Sequence, residues 1–226
     1  MQFKIHYPDT FSFLEIQLQH GESVKAESGA MVTMDETVDI DGKLEGGFMK
    51  GLGRMLAGEK FFFQTLKASR GPGTVTLAPV HMGGIVPLEL NGATYMIQKD
   101  GFLAGSEGVE IDTHMQNMAK GFLSGEGFFI MKVSGKGTVF VNSYGAIHPV
   151  DIEAGKTLVI DNQHLVAWPE NMTYNIEKAS KSGWISSMTS GEGLVCRFHG
   201  PGRVYIQTRN PGGFADWIRS VAGTKG

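Results

Sequence analysis

Cysteine is nearly missing from this sequence, and long apolar runs and basic clusters are missing too. Cys196 is the only cysteine among 226 residues, so an intramolecular disulfide is impossible and we expect a soluble protein in a reducing, cytoplasmic environment. No window approaches about 18 uninterrupted apolar residues, and no apolar segment follows a basic start, so we expect neither a transmembrane span nor an export signal. The net charge is −3, and no run of Lys and Arg could neutralise several phosphates, which argues against nucleic acid as a partner.

Motifs for catalysis and for metal or phosphate binding are also missing. The two closest of the seven histidines, His6 and His20, are 14 residues apart, so no His-x-His or His-Glu-x-x-His motif exists. The absence of His-x-His argues against the metal-dependent enzymes built on a double-stranded β-helix. A complete dinucleotide fingerprint, a phosphate loop and Gly-x-Ser-x-Gly are missing as well. We therefore predict no enzyme activity, no catalytic or metal-binding residues and no cofactor.

Glycine and aromatic residues are abundant, and they indicate the fold class. The chain contains 32 glycines and 14 phenylalanines with only 19% charged residues, which is typical of many short strands joined by tight turns. Apolar residues alternate with polar ones in several runs, for example at Leu14, Ile16 and Leu18. A period of two places one face of each strand on a core and favours antiparallel sheets. The sequence predicts an all-β protein.

Three sequence blocks recur in the same order along the chain. The first begins at a glycine, the second is a Gly-Glu pair before an apolar run, and the third is a hairpin signal with glycine on both sides of one residue. These blocks are Gly21, Gly92 and Gly155; Gly58-Glu59, Gly125-Glu126 and Gly191-Glu192; and Gly71–Gly73, Gly135–Gly137 and Gly200–Gly202. The paired glycines of the hairpin signal predict positive φ in a tight reversal, with a strand leaving each turn.

We interpret these blocks as three tandem β repeats within a single domain, 1–226. Repeat one spans 1–78, repeat two spans 79–143 and repeat three spans 144–209. A copy of about 65 residues buries little apolar surface alone, so we expect the copies to share one pseudo-threefold body. The amphipathic tail, 210–226, is predicted to form a helical turn or two with Phe214, Trp217, Ile218 and Val221 on one face. Docking as a cap is favoured for this tail, and membrane-surface binding is the alternative.

Each repeat also carries an insert rich in methionine and aromatic residues before its Gly-Glu pair. The spacing in the first two inserts indicates short helices. These helices either plug the ends of the β body or form an adaptable apolar patch for a partner, a second subunit or a lipid surface. The candidate patch consists of Phe48, Met49, Leu52, Met55, Leu56, Met115, Met118, Phe122, Trp184 and Met188.

Glu59, Glu126 and Glu192 form a set of carboxylates related by the repeat. If the pseudo-symmetry gathered them around one axis, they would repel one another unless they were protonated or bridged by a cation. The simpler interpretation is that each glutamate starts a strand after its glycine.

Several motifs resemble those of the altered-inheritance-of-mitochondria protein 24 family. The motifs are Gly46–Phe62, Gln98–Ala104, Ile160–Trp168 and Phe198–Arg209. The resemblance identifies the chain as a prokaryotic-type member, because no transit peptide precedes the motifs. It implies a double-stranded β-helical body of three repeats, similar to that of the tryptophan RNA-binding attenuation protein. It supplies no activity and no catalytic residues.

The sequence therefore favours a non-enzymatic interaction or scaffold module that self-associates. Expected partners are further copies of this chain or other proteins, with peripheral membrane contact through the methionine-rich inserts as a variant. The alternative is a small-ligand-binding protein that uses the mouth of the β body, which predicts a closed apolar pocket with a few converging polar groups.

Overall fold

A computed structural model describes residues 1–8, 10–41, 63–112, 130–178 and 194–223. Strands dominate this part of the chain, and the helices within it are two short 3-10 turns, Lys99–Gly101 and Asn162–His164, and α1 (Pro211–Ala222). The strands are β1 (Gln2–His6), β2 (Phe13–Leu18), β3 (Ser23–Glu27), β4 (Met31–Met34), β5 (Asp39–Asp41), β6 (Phe63–Lys67), β7 (Gly73–Leu77), β8 (Ile85–Glu89), β9 (Tyr95–Gln98), β10 (Phe102–Ser106), β11 (Val109–Asp112), β12 (Ile130–Gly135), β13 (Thr138–Asn142), β14 (Ile147–Ile152), β15 (Thr157–Asp161), β16 (Leu165–Pro169), β17 (Thr173–Lys178), β18 (Leu194–His199) and β19 (Gly202–Gln207). The predicted all-β class is confirmed.

The strands form four sheets, in which neighbouring strands pair antiparallel. Their orders are β1-β2-β7-β4, β5-β6-β3-β10-β13-β8, β11-β12-β9-β16-β19-β14 and β15-β18-β17. The alternation noted in the sequence has the expected result in β2, where Leu14, Ile16 and Leu18 are buried and the residues between them are not. One face of this strand therefore lies on the core, as its period of two predicts.

Within the sheets, strands are grouped in threes around a central strand. β7 lies between β2 and β4, β13 lies between β8 and β10, and β19 lies between β14 and β16. In the same way β6, β12 and β18 are the centres of β3-β6-β5, β9-β12-β11 and β15-β18-β17. These groups are called three-stranded units below. Each is closed by pairing of residues that lie far apart in sequence, so its formation depends on long-range contacts.

Two joints connect three-stranded units across the chain. β3 pairs with β10 at the first joint, and β9 pairs with β16 at the second. The apolar core follows the joints: one cluster combines Leu14 and Leu66 with Phe140, and another combines Ile160 and Trp168 with Met96. The joints therefore hold successive parts of the chain together by both backbone pairing and buried side chains.

The glycines of the hairpin signal serve two different purposes. Gly71, Gly135 and Gly137 have positive φ, as predicted. The prediction is wrong for Gly73, Gly200 and Gly202, which do not appear among the positive-φ glycines. A Cβ on Gly202 would lie 2.6 Å from the Met172 sulfur, and one on Gly200 would lie 2.1 Å from the Glu153 carbonyl oxygen. Close approach of another segment, rather than φ, therefore requires glycine at these two positions.

The C-terminal tail forms a longer helix than the turn or two predicted. Asn210 caps the N-terminus of α1 by accepting a hydrogen bond from the Gly213 N–H at 3.0 Å. Pro211 occupies the first turn, and Gly223 ends the helix with φ at 66°. These are favourable residues for the start and stop of a helix, which explains why α1 forms although Gly212 and Gly213 lie in its first turn.

Candidate interaction surfaces

The residues that the sequence singled out for function lie outside the described part of the chain. This holds for the whole candidate patch and for the three carboxylates. They are Phe48, Met49, Leu52, Met55, Leu56, Met115, Met118, Phe122, Trp184 and Met188, together with Glu59, Glu126 and Glu192. Among the described residues, the candidate surfaces are the apolar face of α1 and two strand edges.

The first surface is the apolar face of α1. Phe214, Trp217, Ile218 and Val221 are 41, 57, 44 and 68% exposed, and α1 contains no buried residue. The favoured prediction that this tail docks as a cap is wrong for Trp217, Ile218 and Val221, whose side chains are exposed, whereas Phe214 contacts the β body. Their spacing places them on one face of the helix, so the exposed apolar area is contiguous along α1 rather than scattered.

Aromatic contacts tie α1 to the β body. The Phe214 ring lies 5.6 Å from the Tyr144 ring and 5.8 Å from the Trp217 ring, measured between centroids. Tyr144 in turn lies 6.1 Å from the His81 ring. Such spacings are typical of favourable aromatic pairs. We call the surface formed by Tyr144, Phe214, Trp217, Ile218 and Val221 the helix patch.

The charges of α1 cancel within the helix. Asp216 and Arg219 form an ion pair on adjacent turns, and no other residue of α1 is charged. A helix that binds an anionic membrane surface usually carries several Lys or Arg residues on its polar face. The helix patch therefore fits an apolar protein surface better than an anionic lipid surface.

Two strand edges, which belong to different sheets, form the second kind of candidate surface. Among the described residues, β4 and β15 each have a neighbouring strand on one side only. Val32 and Met34 of β4 are 57 and 36% exposed, and Val159 of β15 is 45% exposed. An edge with free backbone N–H and C=O groups and apolar side chains is a template for pairing with another strand.

The titratable groups of the described residues do not assemble a metal-binding centre. No group of three His, Cys, Asp or Glu residues there is arranged to hold a metal ion. Cys196 is fully buried, and burial raises the pKa of its thiol to about 12, so it is not an activated nucleophile. Burial, with a smaller contribution from the Asp100 charge, raises the pKa of Glu27 to about 7. Proximity to Lys99 opposes that rise.

A cleft lies between the start of β3 and the β12–β13 turn. It has a volume of about 320 Å³, and Met1 is the only large apolar side chain that lines it. The Met1 ammonium group forms an ion pair with Glu22 at 3.0 Å at this cleft. Small-ligand pockets are usually lined mainly by apolar side chains, so this cleft lacks the apolar lining that the ligand-binding alternative predicts.

Comparison with known proteins places the chain in a family. The family model described as mitochondrial biogenesis AIM24 matches residues 3–209. The chain belongs to the AIM24 family. This confirms the resemblance that the sequence motifs indicated, and the match ends where the segment leading into α1 begins.

Two bacterial proteins illustrate what this AIM24-family chain is similar to. It is 35% identical over 226 residues to an uncharacterised protein of Streptococcus pyogenes serotype M6, covering 97% of this chain and 90% of that protein. A crystal structure of a Streptococcus pyogenes protein is similar with a TM-score of 0.83 and 36% identity, covering 97% of this chain and 99% of that one. These likenesses support the fold and the family but name no activity.

Within the described residues, no helix is long and apolar enough to cross a membrane. Sequence reasoning missed both surfaces described above. The helix patch was visible as a helical stripe but was assigned to a docked cap. The two strand edges carried a weaker signal, because β4 and β15 contain neither proline nor a basic residue, and only the strand order shows that they are edges.

Proposed function

We propose that this AIM24-family chain is a non-enzymatic interaction module that self-associates and binds partner proteins through exposed apolar surfaces. The single observation that carries the proposal is α1, which presents four apolar side chains to solvent and buries none of its residues. Monomeric proteins rarely expose a contiguous apolar patch without using it. The acidic balance, with a net charge of −3, opposes nucleic acid as the partner.

The proposal includes three related units in one domain, similar to the body of the tryptophan RNA-binding attenuation protein. The units are 1–78, 79–143 and 144–209, followed by the tail 210–226. The recurring grouping of strands around β7, β13 and β19, and around β6, β12 and β18, supports this division. A cytoplasmic location is part of the proposal, and it is supported by one buried cysteine and no disulfide.

Substitution of the exposed apolar residues of α1 tests the proposal. Trp217→Ser combined with Ile218→Ser removes most of the helix patch, and the matched control is Tyr7→Ser, which changes a 69% exposed aromatic residue on the opposite end of the sequence. The measurement is light scattering during chromatography, followed by quantitative co-purification of cross-linked partners from the native cell. We expect the double variant, but not the control, to lose at least about 80% of the bound partner, because hot-spot residues carry most of an interface's energy.

Two results would refute the proposed function. One is a wild-type chain that is strictly monomeric at every concentration and retains no partner. The other is binding to vesicles containing phosphatidylserine that the double variant abolishes, since lipid would then be the ligand of the helix patch.

A further inference from the structure

The two joints inside the chain share one geometry. In each, two strands pair antiparallel through three opposed residues, and the strands belong to different three-stranded units. The opposed pairs are Ala104–Ala26, Gly105–Lys25 and Ser106–Val24 at the first joint, and Ala167–Ile97, Trp168–Met96 and Pro169–Tyr95 at the second. A joint therefore pairs one strand equivalent to β3 and β9 with one strand equivalent to β10 and β16.

β4 is a strand of the β10 and β16 kind. Each of these three strands lies beside a central strand, β7, β13 or β19, and its pairing with that strand is interrupted at the same point. The interruption falls between Met31 and Thr33 in β4, between Phe102 and Ala104 in β10, and between Leu165 and Ala167 in β16. Such β-bulges fix the register and direction of a strand, so β4 carries the same local geometry as the two strands that form joints.

β15 is a strand of the β3 and β9 kind. Each of the three begins two or three residues after a glycine with positive φ, at Gly21, Gly92 and Gly155. Each lies beside a central strand, β6, β12 or β18. Among the described residues, β15 has no strand on the side that β3 and β9 use for their joints, and β4 has none on the side that β10 and β16 use.

The side chains at the two open edges match those buried in the second joint. There Trp168 lies opposite Met96, and the two side chains are 0 and 4% exposed. Met34 holds the position of Trp168 on β4, and Val159 holds the position of Met96 on β15. They are 36 and 45% exposed. The apolar pair that is buried in the second joint therefore has its counterpart in two solvent-exposed apolar side chains, one on each open edge.

The backbone N–H and C=O groups at both edges also point in directions that are suitable for pairing with a further strand. The N–H groups of Thr33 and Asp35 point back into the chain and donate to Thr76 Oγ1 and to the Thr74 carbonyl, each at 3.0 Å. Because these directions alternate along a strand, the Met34 N–H points outward. On β15 the Lys156 carbonyl accepts from the Gly200 N–H at 3.0 Å. The same alternation directs the backbone groups of Val159 outward.

Apart from Asp161, the edge strands β4 and β15 lack the proline and charged residues found at the other sheet edges of the described chain. Pro87 and Pro149 lie in the edge strands β8 and β14, and β1, β5, β11 and β17 each contain charged residues. β4 and β15 contain no proline, lysine or arginine. Asp161 is their one charged residue, and its carboxylate accepts a hydrogen bond from the Gln163 N–H in the following turn. Proline and charge are the usual protection against edge-to-edge association.

We infer that β4 of one copy pairs antiparallel with β15 of the next copy, head to tail, and so forms a third joint between chains. The opposed pairs are Thr33–Ile160, Met34–Val159 and Asp35–Leu158, the register of the two internal joints. This inference rests on the proposed self-association and specifies its surface and its partner. A head-to-tail contact uses two different surfaces, so repeated addition closes a ring or extends a filament.

Edge-blocking and charge-swap variants test the joint. Met34→Pro removes the outward N–H but leaves the two β4 hydrogen bonds to β7, so the monomer should keep its fold while the dissociation constant rises by at least about tenfold. Met34→Lys and Val159→Lys should each weaken association to a similar extent. Combining Met34→Lys with Val159→Glu should restore it, because opposite charges then face each other across the joint. Val80→Lys, at a 78% exposed site outside β4 and β15, is the matched control.

Cross-linking identifies the pairing directly. Tagged Val159→Cys and untagged Met34→Cys proteins are mixed and treated with a short bis-maleimide. Cys196 does not compete because it is fully buried. The expected product joins one tagged and one untagged chain. Products joining two Met34→Cys chains, or an unchanged oligomer in Met34→Pro, would overturn the joint while leaving self-association intact. A wild-type chain that stays monomeric at every concentration would instead overturn the proposed self-association on which the joint rests.

Discussion

Glu27→Gln tests how burial beside the first joint governs the pH dependence of folding. Glu27 is the last residue of β3, opposite Phe63 in β6. Burial raises the pKa of its carboxyl from 4.5 to about 7, and the Asp100 charge contributes in the same direction. Between these two pH values the folded chain binds more protons at Glu27 than the unfolded chain does. The free energy of unfolding therefore falls as the pH rises from about 4.5 to about 7, and the loss is complete above that range.

The magnitude follows from the two pKa values. Each pKa unit corresponds to about 1.4 kcal/mol, so a fully buried carboxyl with this difference would lose about 3 kcal/mol across the range. Glu27 is only partly buried, and solvent screening reduces the expected loss to about 1 to 2 kcal/mol. Glutamine has the same length and no charge. The stability of Glu27→Gln relative to the wild type should therefore increase by about that amount between pH 4.5 and pH 8.

Urea unfolding of both proteins at half-unit pH steps measures this difference. Asp100→Asn is a second arm, because it removes the like charge that also raises the Glu27 pKa. Its backbone contacts, including the Asp100 carbonyl that accepts from the Asn142 amide at 3.0 Å, do not depend on the carboxyl. In this variant the pH range of the stability loss should move downward. A difference between wild type and Glu27→Gln that is the same at every pH would refute the reasoning.

Three further predictions concern packing and turns. Trp168→Ala should cost about 3 to 5 kcal/mol in urea unfolding because Trp168 is fully buried, whereas Trp217→Ala, at a 57% exposed site, should cost less than about 0.5 kcal/mol. Cys196 should react with a thiol reagent at pH 8 only after urea unfolds the chain, because burial raises its pKa to about 12; reaction at full rate in the native state would contradict this. Gly137→Ala should lower the free energy of unfolding more than Gly155→Ala in the same urea assay. Both glycines have positive φ. A Cβ on Gly137 would lie 2.1 Å from the Ser106 hydroxyl oxygen, whereas a Cβ on Gly155 would meet nothing within 4 Å.

The fold class could be read from the sequence because it depends on short-range pattern. Alternation at Leu14, Ile16 and Leu18 reports which face of a strand is buried without any knowledge of its partner. The glycine turns show which features the local sequence pattern predicts and which it does not. Gly135 and Gly137 need positive φ, which their local sequence indicated, but Gly202 is required because Met172 approaches it from a distant strand connection. Contacts of that kind are a property of the strand order.

The candidate surfaces could be predicted less well for the same reason. The stripe of Phe214, Trp217, Ile218 and Val221 predicted a helix correctly, since helical periodicity is local. Whether its apolar face is covered depends on what the β body offers, and the four side chains are left exposed. The open edges of β4 and β15 could not be identified from the sequence, because only the strand order shows which of the described strands lack a neighbour on one side.

Strand β1, which pairs with β2 in the sheet β1-β2-β7-β4, shows how edge protection and strand addition are linked. Pro87 and Pro149 lie in β8 and β14 at the third position from the strand start, opposite Phe140 and Tyr205 of the central strands. β2 has Glu15 at this position, opposite Thr76, and Glu15 also lies opposite Lys4 of β1. Proline cannot donate a backbone hydrogen bond, so inside a strand it is suited to an edge; Pro169, in the doubly paired strand β16, is the last residue of that strand. Proline is therefore present where β8 and β14 end a sheet and absent where β1 adds to β2. By the same logic, the lack of proline in β4 and β15 leaves both strands able to pair with a further strand.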